Sequence, residues 1–297
     1  MARKGGGKWG SFRILNDGKF ISVWTKGHEP AEVMVSKDEG RSWKKISEFT
    51  AEVSGFTFIS EAREMFRLAD DTLLWFGRYD KGSVASGDPY SKTLVRRSTD
   101  GGMSWSTPSR FYEAAFESGV TQLPSGKLLA AVRFQRHLRT DPPYNDPDDL
   151  VQIMRGGSSS PIVWNSGPFK HVFLLESDDD GETWKEDSFR QLTTAFGQCY
   201  GDPVALSDGT VVMIHDTRYG PGVPSGRAMI SRDEGKTWED EAYYMYYGKA
   251  TSGYSQSVAL KDGVILTIAG TTEVGWSWDT CIGRSDLTAI RWKPVKD

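Results

Sequence analysis

Apolar side chains in this chain fall in short runs, and a polar turn precedes each one. Five times a Leu, a few turn residues and a β-branched or aliphatic run recur. The first three are Leu15-Asn-Asp-Gly18-Lys-Phe-Ile, Leu68-Ala-Asp-Asp71-Thr-Leu-Leu and Leu123-Pro-Ser-Gly126-Lys-Leu-Leu. The pattern returns as Leu206-Ser-Asp-Gly209-Thr-Val-Val and Leu260-Lys-Asp-Gly263-Val-Ile-Leu. Asp-Gly between apolar stretches is a hairpin signal, because Gly accepts the positive φ of a tight turn. The runs are too short for helices, and no helical periodicity competes with them, so they predict strands.

A second pattern follows each of the first four: Ser-x-Asp-x-Gly-x-Ser/Thr-Trp. It stands at Ser36, Asp38, Gly40, Ser42 and Trp43, and again at Ser98, Asp100, Gly102, Ser104 and Trp105. It recurs at Ser177, Asp179, Gly181, Thr183 and Trp184, then at Ser231, Asp233, Gly235, Thr237 and Trp238. A fifth, decayed copy would keep only its ends, Ser285 and Trp292, at the same separation of seven. Asp and Ser side chains tie a turn by bonding nearby amides, Gly supplies the positive φ, and the Trp ring packs between neighbouring units. The motif is thus a structural brace. Its third copy, with Asp178 and Asp180, resembles a calcium loop, but Asp187 stands where the bidentate Glu belongs.

Each repeat predicts four strands: one ending at the Leu, one after the turn, one ending at the motif Ser and one following the Trp. The Leu spacings of 53, 55, 83 and 54 residues are those of a β-propeller. The expected fold is therefore all-β, a single five-bladed propeller over 1–297. Its blades fall near 9–50, 51–112, 113–192, 193–247 and 248–297. The third carries an insertion, about 135–168, between its second and third strands. Its Pro- and Ser-rich composition predicts a functional loop over one propeller face.

Charge and composition remove other classes. With 36 Lys+Arg against 40 Asp+Glu, the chain lacks the basic excess of a nucleic-acid or membrane binder. No apolar run reaches the roughly 18–20 residues of a membrane helix. The first residues carry charge without an apolar stretch behind them, so no signal peptide is expected, and a complete chain would be cytoplasmic. Two cysteines, Cys199 and Cys281, form no disulfide framework. No cofactor or metal is expected.

Residues that the repeat does not explain gather where propellers bind ligands, at the first strands and the loops after the second strands. The second blade offers Arg63, Glu64, Arg78, Asp80 and Asp88, and the third Glu117, Arg133, Arg136 and His137. The fourth offers Tyr200, Asp202, His215, Asp216 and Arg218, and the fifth Tyr254 and Trp276. His215 at a strand end suits a metal ligand, a general base or, in preference, a hydrogen-bonded structural role, and Tyr243–Tyr247 suits blade packing over a sugar platform.

The turn motifs, taken together, resemble those of the sialidase superfamily of Asp-box (BNR-repeat) propellers, along all five blades. Gly253-Tyr254-Ser255, ahead of Leu260, is similar to the segment that carries the catalytic tyrosine of that family. Leu73–Arg78, Ser86-Gly-Asp88 and Val95–Ser98 are similar to the blade that carries its acid/base aspartate. The resemblance implies Tyr254 as nucleophile and Asp88, or Asp80, as acid/base. The family's activating glutamate falls at Tyr200, which leaves Asp202, Glu117 or Glu64 for that task. Its Phe-Arg-Ile-Pro motif is absent; Arg63, Arg133 and Arg218 are candidate clamps for a sugar carboxylate, with Arg78, Arg136, Tyr200, His215 and Trp276 also binding substrate. The implied activity is hydrolysis of a terminal acidic glycoside. A uronate lyase and a non-catalytic carbohydrate-binding propeller are the alternatives.

Overall fold

The computed structural model describes residues 11–25, 30–50, 53, 57–59, 65–80, 92–113, 115–136, 169–194, 198–217, 225–239, 243–247, 250–272 and 285–295. They form five antiparallel sheets, a five-bladed β-propeller. The first sheet is a meander of β1 (Phe12–Ile14), β2 (Phe20–Trp24), β3 (Ala31–Ser36) and β4 (Lys44–Phe49). The second holds β5 (Thr57–Ile59), β6 (Met65–Arg67), β7 (Leu73–Asp80), β8 (Lys92–Ser98) and β9 (Ser109–Glu113). Here the first-strand position is split, since β5 and β6 both pair with β7. The third and fourth are regular meanders: β10 (Ala115–Gln122), β11 (Leu128–Arg136), β12 (Phe169–Ser177), β13 (Lys185–Gln191), then β14 (Gln198–Ala205), β15 (Val211–Thr217), β16 (Ser225–Ser231), β17 (Tyr243–Tyr247).

The last sheet departs from expectation. It holds three strands among the described residues, β18 (Ala250–Ala259), β19 (Ile265–Thr272) and β20 (Ser285–Trp292). Ser285 and Trp292 are the two ends of β20, paired with Thr272 and Ile265, so they frame a strand and not a fifth turn. Their spacing of seven coincides with that of the motif, but the Asp and Gly that close the turn are missing between them.

Two compact units are distinguished. Residues 1–117 with 179–184 make one, and 118–178 with 185–297 the other. In the first, Ile21 and Val23 of β2 and Val33 of β3 meet Leu73, Trp75 and Tyr79 of β7, all at most 1% exposed. Phe111 and Trp184 pack edge to face at 4.7 Å. In the second, Leu129, Ala131, Val172 and Leu174 meet Val211 and Met213, while Val212, Ile214, Ala228 and Ile230 meet Ile265. Alternate residues of each strand thus face opposite neighbours, as the two-residue period requires.

The four repeated turns are braces. In the first, the Ser36 hydroxyl donates to Asp38 at 2.7 Å and accepts from the Gly40 amide at 2.8 Å. Asp38 accepts from the Ser42 amide and hydroxyl, and the Trp43 indole donates to the Gly40 carbonyl. The turns at Asp100 and Asp233 repeat these bonds. In the third, Asp179 is likewise occupied by the Thr183 amide and hydroxyl, and Asp178 pairs with Lys185. Trp184 is 8% exposed, whereas Trp43, Trp105 and Trp238 are half-buried, so the rings are less enclosed than the sequence suggested.

Candidate functional site

The second unit concentrates its buried charged and imidazole side chains at one end of its sheets, away from the Gly turns. Arg133 near the end of β11 and His171 near the start of β12 are each 7% exposed. Gln198 and Asp202 of β14 are each 8% exposed, and His215 and Asp216 of β15 are 1% and 4% exposed. Ser255 of β18 is also buried. Strand β14 lies against β11 on one side and β18 on the other, and β15 also touches β18. Buried carboxylates, imidazoles and a guanidinium are costly unless they answer one another or a ligand, and a core serving stability alone would be apolar here.

The backbone is distorted at the same place. Cys199 opposes Asp216 and Asp202 opposes Ile214, so Tyr200 and Gly201 together face the single residue His215. This is a β-bulge, and Tyr200 takes the left-handed conformation at φ 65°. A non-glycine residue held there is strained. Gly201 makes the bulge possible. A Cβ on it would stand 2.7 Å from the Ala131 Cβ, 2.8 Å from Val172 Cγ1 and 2.9 Å from the Met213 sulfur. In β18 the ladder slips further: between Thr251 and Ser255 three residues, Tyr254 among them, face the single residue Gly270. In β10, Glu117 has φ 41°. Glu117, Tyr200 and Tyr254 each stand six residues before a turn Leu (Leu123, Leu206, Leu260). The first strands of three sheets are therefore irregular at one repeat position, and all three residues there were singled out as candidates.

His215 is strongly perturbed. Burial pushes its pKa from 6.5 down to about 4; the nearby Arg227 charge adds to that, and a 3.4 Å contact with the Asp216 carbonyl opposes it. Arg227 is its cross-strand partner on β16. Nε2 of His215 has no hydrogen-bond partner among the described residues. A neutral imidazole suits a hydrogen bond to a ligand hydroxyl or proton exchange with it, rather than attraction of an anion.

In the first unit, Arg78 is half-buried in β7 between Ile59 and Thr93. Beside it, Tyr79 is 1% exposed, and burial pushes its phenol up to about 12 despite the opposing charge of Arg96. Arg96 is structural: it donates to the Ser106 and Thr50 carbonyls at 2.9 Å and lies over the Phe49 ring.

The structure thus brings Arg133, Tyr200, Asp202 and His215 to neighbouring strands at one end of the second unit. Tyr254 belongs to β18 and Arg136 ends β11, both known here by backbone alone. Asp88, Arg63, Glu64, Arg218 and Trp276 lie outside the described residues, as does the insertion after β11. Two buried polar residues, His171 and Gln198, escaped the sequence reading. Their signal was faint: each is one polar residue at the start of a strand whose remainder is regular.

Neither a protein-family model nor a curated protein matches the chain. Solved structures do. A protein of unknown function from Dyadobacter fermentans superposes with a TM-score of 0.60 at 20% identity, over 89% of this chain and 75% of that one. An α-L-arabinofuranosidase from Fusarium graminearum gives 0.59 at 14% identity, over 92% and 79%. The intramolecular trans-sialidase from Ruminococcus gnavus gives 0.57 at 14% identity, over 96% of this chain but only 58% of its own. The chain shares its propeller fold with sialidases and with other propeller glycosidases. No helix among the described residues is long and apolar enough to cross a membrane.

Proposed function

We propose that the chain is a glycoside hydrolase of the sialidase-like kind, acting on a terminal acidic sugar. The observation that carries this reading is the cluster of Arg133, Asp202, His215 and Asp216 at the turn-free end of the second unit, beside the bulges of β14 and β18. A polar cluster beside irregular first strands is what a binding end needs and a packing interface does not. The likeness to solved propeller glycosidases supports the reaction class.

In this reading Tyr254 is the nucleophile. Its phenol oxygen bonds to the anomeric carbon as the bond to the leaving oxygen breaks, and Asp88 (alternatively Asp80) gives that oxygen a proton. Water then attacks the anomeric carbon, the Tyr254 bond breaks, and the aspartate takes the proton back. A phenol meets a carboxylate-bearing anomeric centre with less repulsion than a second carboxylate would, provided a base receives its proton. Asp202 or Glu117 serves as that base. Arg133 with Arg63 and Arg218 holds the sugar carboxylate, a task suited to the guanidinium fork. Arg78, Arg136, Tyr200, His215 and Trp276 complete the sugar site.

The test is Tyr254→Phe, which keeps the ring and removes the oxygen. Turnover of a fluorogenic sialoside should fall by about a hundredfold or more, while stability stays within about 1 kcal/mol. A fluorinated sialoside should label the native protein and not the variant. Near-normal turnover would remove Tyr254 from the chemistry. The same panel includes arabinosides and uronate polymers; new double bonds from a uronate polymer would replace hydrolysis by elimination.

A further inference from the structure

Within each unit, a carboxylate ties the Gly turn of one sheet to the sheet that follows. Between the first and second sheets, Asp71 accepts from the Asn16 amide at 3.0 Å and pairs with Arg67 at 2.6 Å. Between the third and fourth, Glu234 accepts from the Ser125 amide at 3.0 Å. Asn16 and Ser125 lie in the turns after Leu15 and Leu123, so each carboxylate satisfies an amide that its own turn leaves open.

Between the fourth and fifth sheets, both of these carboxylate positions hold other residues. Asp71 stands three residues after Leu68, and three after Leu260 comes Gly263. Glu234 stands three after Ser231, which pairs with Val211; Trp292 pairs with Ile265 at the matching rung, and three after it comes Val295. Among the described residues, nothing accepts from the amides of Ser207 or Asp208 in the turn after Leu206.

A cavity of about 520 Å³, within the size range of small-ligand sites, lies at this seam inside the second unit. Ser207, Asp208, Arg232, Lys261, Asp262 and Lys293 line it. Asp208 is engaged by its own turn, where it accepts from the Thr210 amide, and Arg232 is held by Glu239 and the Val295 carbonyl. Asp262 is exposed. Lys261 and Lys293 are exposed too, and neither ion-pairs with a described residue. A Cβ on Gly263 would stand 3.5 Å from the Lys293 Cε, so this side chain lies over the turn that carries Lys261. Where the other two seams place a carboxylate, this one gathers two lysines and open turn amides.

We propose that this cavity binds the carboxylate of a small acidic ligand, which takes the capping place that Asp71 and Glu234 fill at the other seams. Lys261 and Lys293 supply the charge, and the turn amides of the fourth sheet supply further donors. Acidic sugars and simple organic acids share this chemistry. The cavity lies at the Gly-turn end of the sheets, opposite the cluster around His215, and the inference is independent of the glycosidase reading.

The test is a titration of the native chain with sodium D-glucuronate, succinate and the neutral methyl glucoside, followed through backbone amide NMR shifts. Glucuronate should move the amides of residues 207–208 and 261–263, with a dissociation constant of about 1–10 mM for a solvent-open site. Succinate acting alike identifies the carboxylate as the whole determinant, and glucuronate acting alone adds the sugar ring; both support the proposal. Lys261→Gln with Lys293→Gln should weaken binding about tenfold, the combined effect of two exposed charge contacts, while the circular dichroism spectrum stays native. Raising sodium chloride from about 50 to 500 mM should weaken binding to the native chain several-fold, a readout that needs no variant. Tyr254→Phe should bind as the native chain does. The proposal is overturned by an absence of shifts at these amides up to about 50 mM glucuronate, well above that range. It is equally overturned by an equal response to the methyl glucoside, by binding that the double variant and salt leave unchanged, or by shifts that vanish in Tyr254→Phe.

Discussion

At the scale of the residue, a few side chains do what their neighbours in the repeat do not. Gly201 sits where added volume meets three packed atoms, two of them on rigid branched or backbone-proximal carbons. Gly201→Ala should therefore destabilise the protein by about 1–3 kcal/mol, the range for overpacking, as read by urea denaturation. A variant as stable as the native chain would mean that the bulge relaxes freely. His215 makes a prediction in pH. Its folded pKa of about 4 lies below the ordinary 6.5, so between those values the unfolded chain takes up a proton that the folded chain refuses. Stability should fall as pH drops from 6.5 to about 4, and this loss should shrink in His215→Gln. An unchanged slope in the variant would assign the dependence to other groups. The value of the polar residues themselves was legible early: Arg133, Tyr200, Asp202 and His215 stood out because the repeat did not require them. Their burial was not legible, since a strand pattern says which face a side chain takes but not what covers it.

Among the elements, the hairpin of β11 and β12 is the most instructive. Its ladder runs unbroken from the pair Leu128 and Ser177 to the pair Arg136 and Phe169. The insertion therefore leaves the sheet beyond the last pair of that ladder. Removing residues 140–159 should leave the transition cooperative and the melting temperature within a few degrees of native, since stability in a repeat array resides in neighbouring-sheet contacts. If the insertion shapes the binding end, sugar affinity should fall in the same variant. A protein that no longer folds would show that the segment belongs to the core. The strands themselves followed from short apolar runs and Gly turns, and four of the five turn motifs were recognised with their bonding. The mistaken fifth, Ser285 to Trp292, shows the limit: spacing without the Asp and Gly is a coincidence that only the ladder with β19 exposes. The split of the first strand in the second sheet was equally hidden, because Met65–Arg67 and Thr57–Ile59 are each too short to signal a strand.

Across the whole molecule, the same turn chemistry recurs in both units and gives them a common response to acid. Bonds from Ser42 hold the Asp38 carboxylate at a pKa of about 2, and bonds from Thr237 do the same for Asp233. Amides of Thr72 and Thr210 depress Asp70 and Asp208. Carboxylates depressed in the folded state stabilise it above their ordinary value of 3.8, and that contribution disappears as pH falls through about 2. Tryptophan fluorescence during acid titration should report a loss of structure in that window, below the one set by His215. Asp38→Asn with Asp233→Asn should be less stable at neutral pH and show a flatter decline; an unaltered acid profile would refute the assignment. The repeat and the brace were written in local sequence, because a tight turn and a two-residue alternation depend on residues a few positions apart. The bulges at Tyr200 and between Thr251 and Ser255 and the burial of His215 were decided by tertiary structure. They arise from packing between segments far apart in the chain, as Ala131 and Val172 meet Gly201, where the fit of a methyl group leaves no mark on the local pattern.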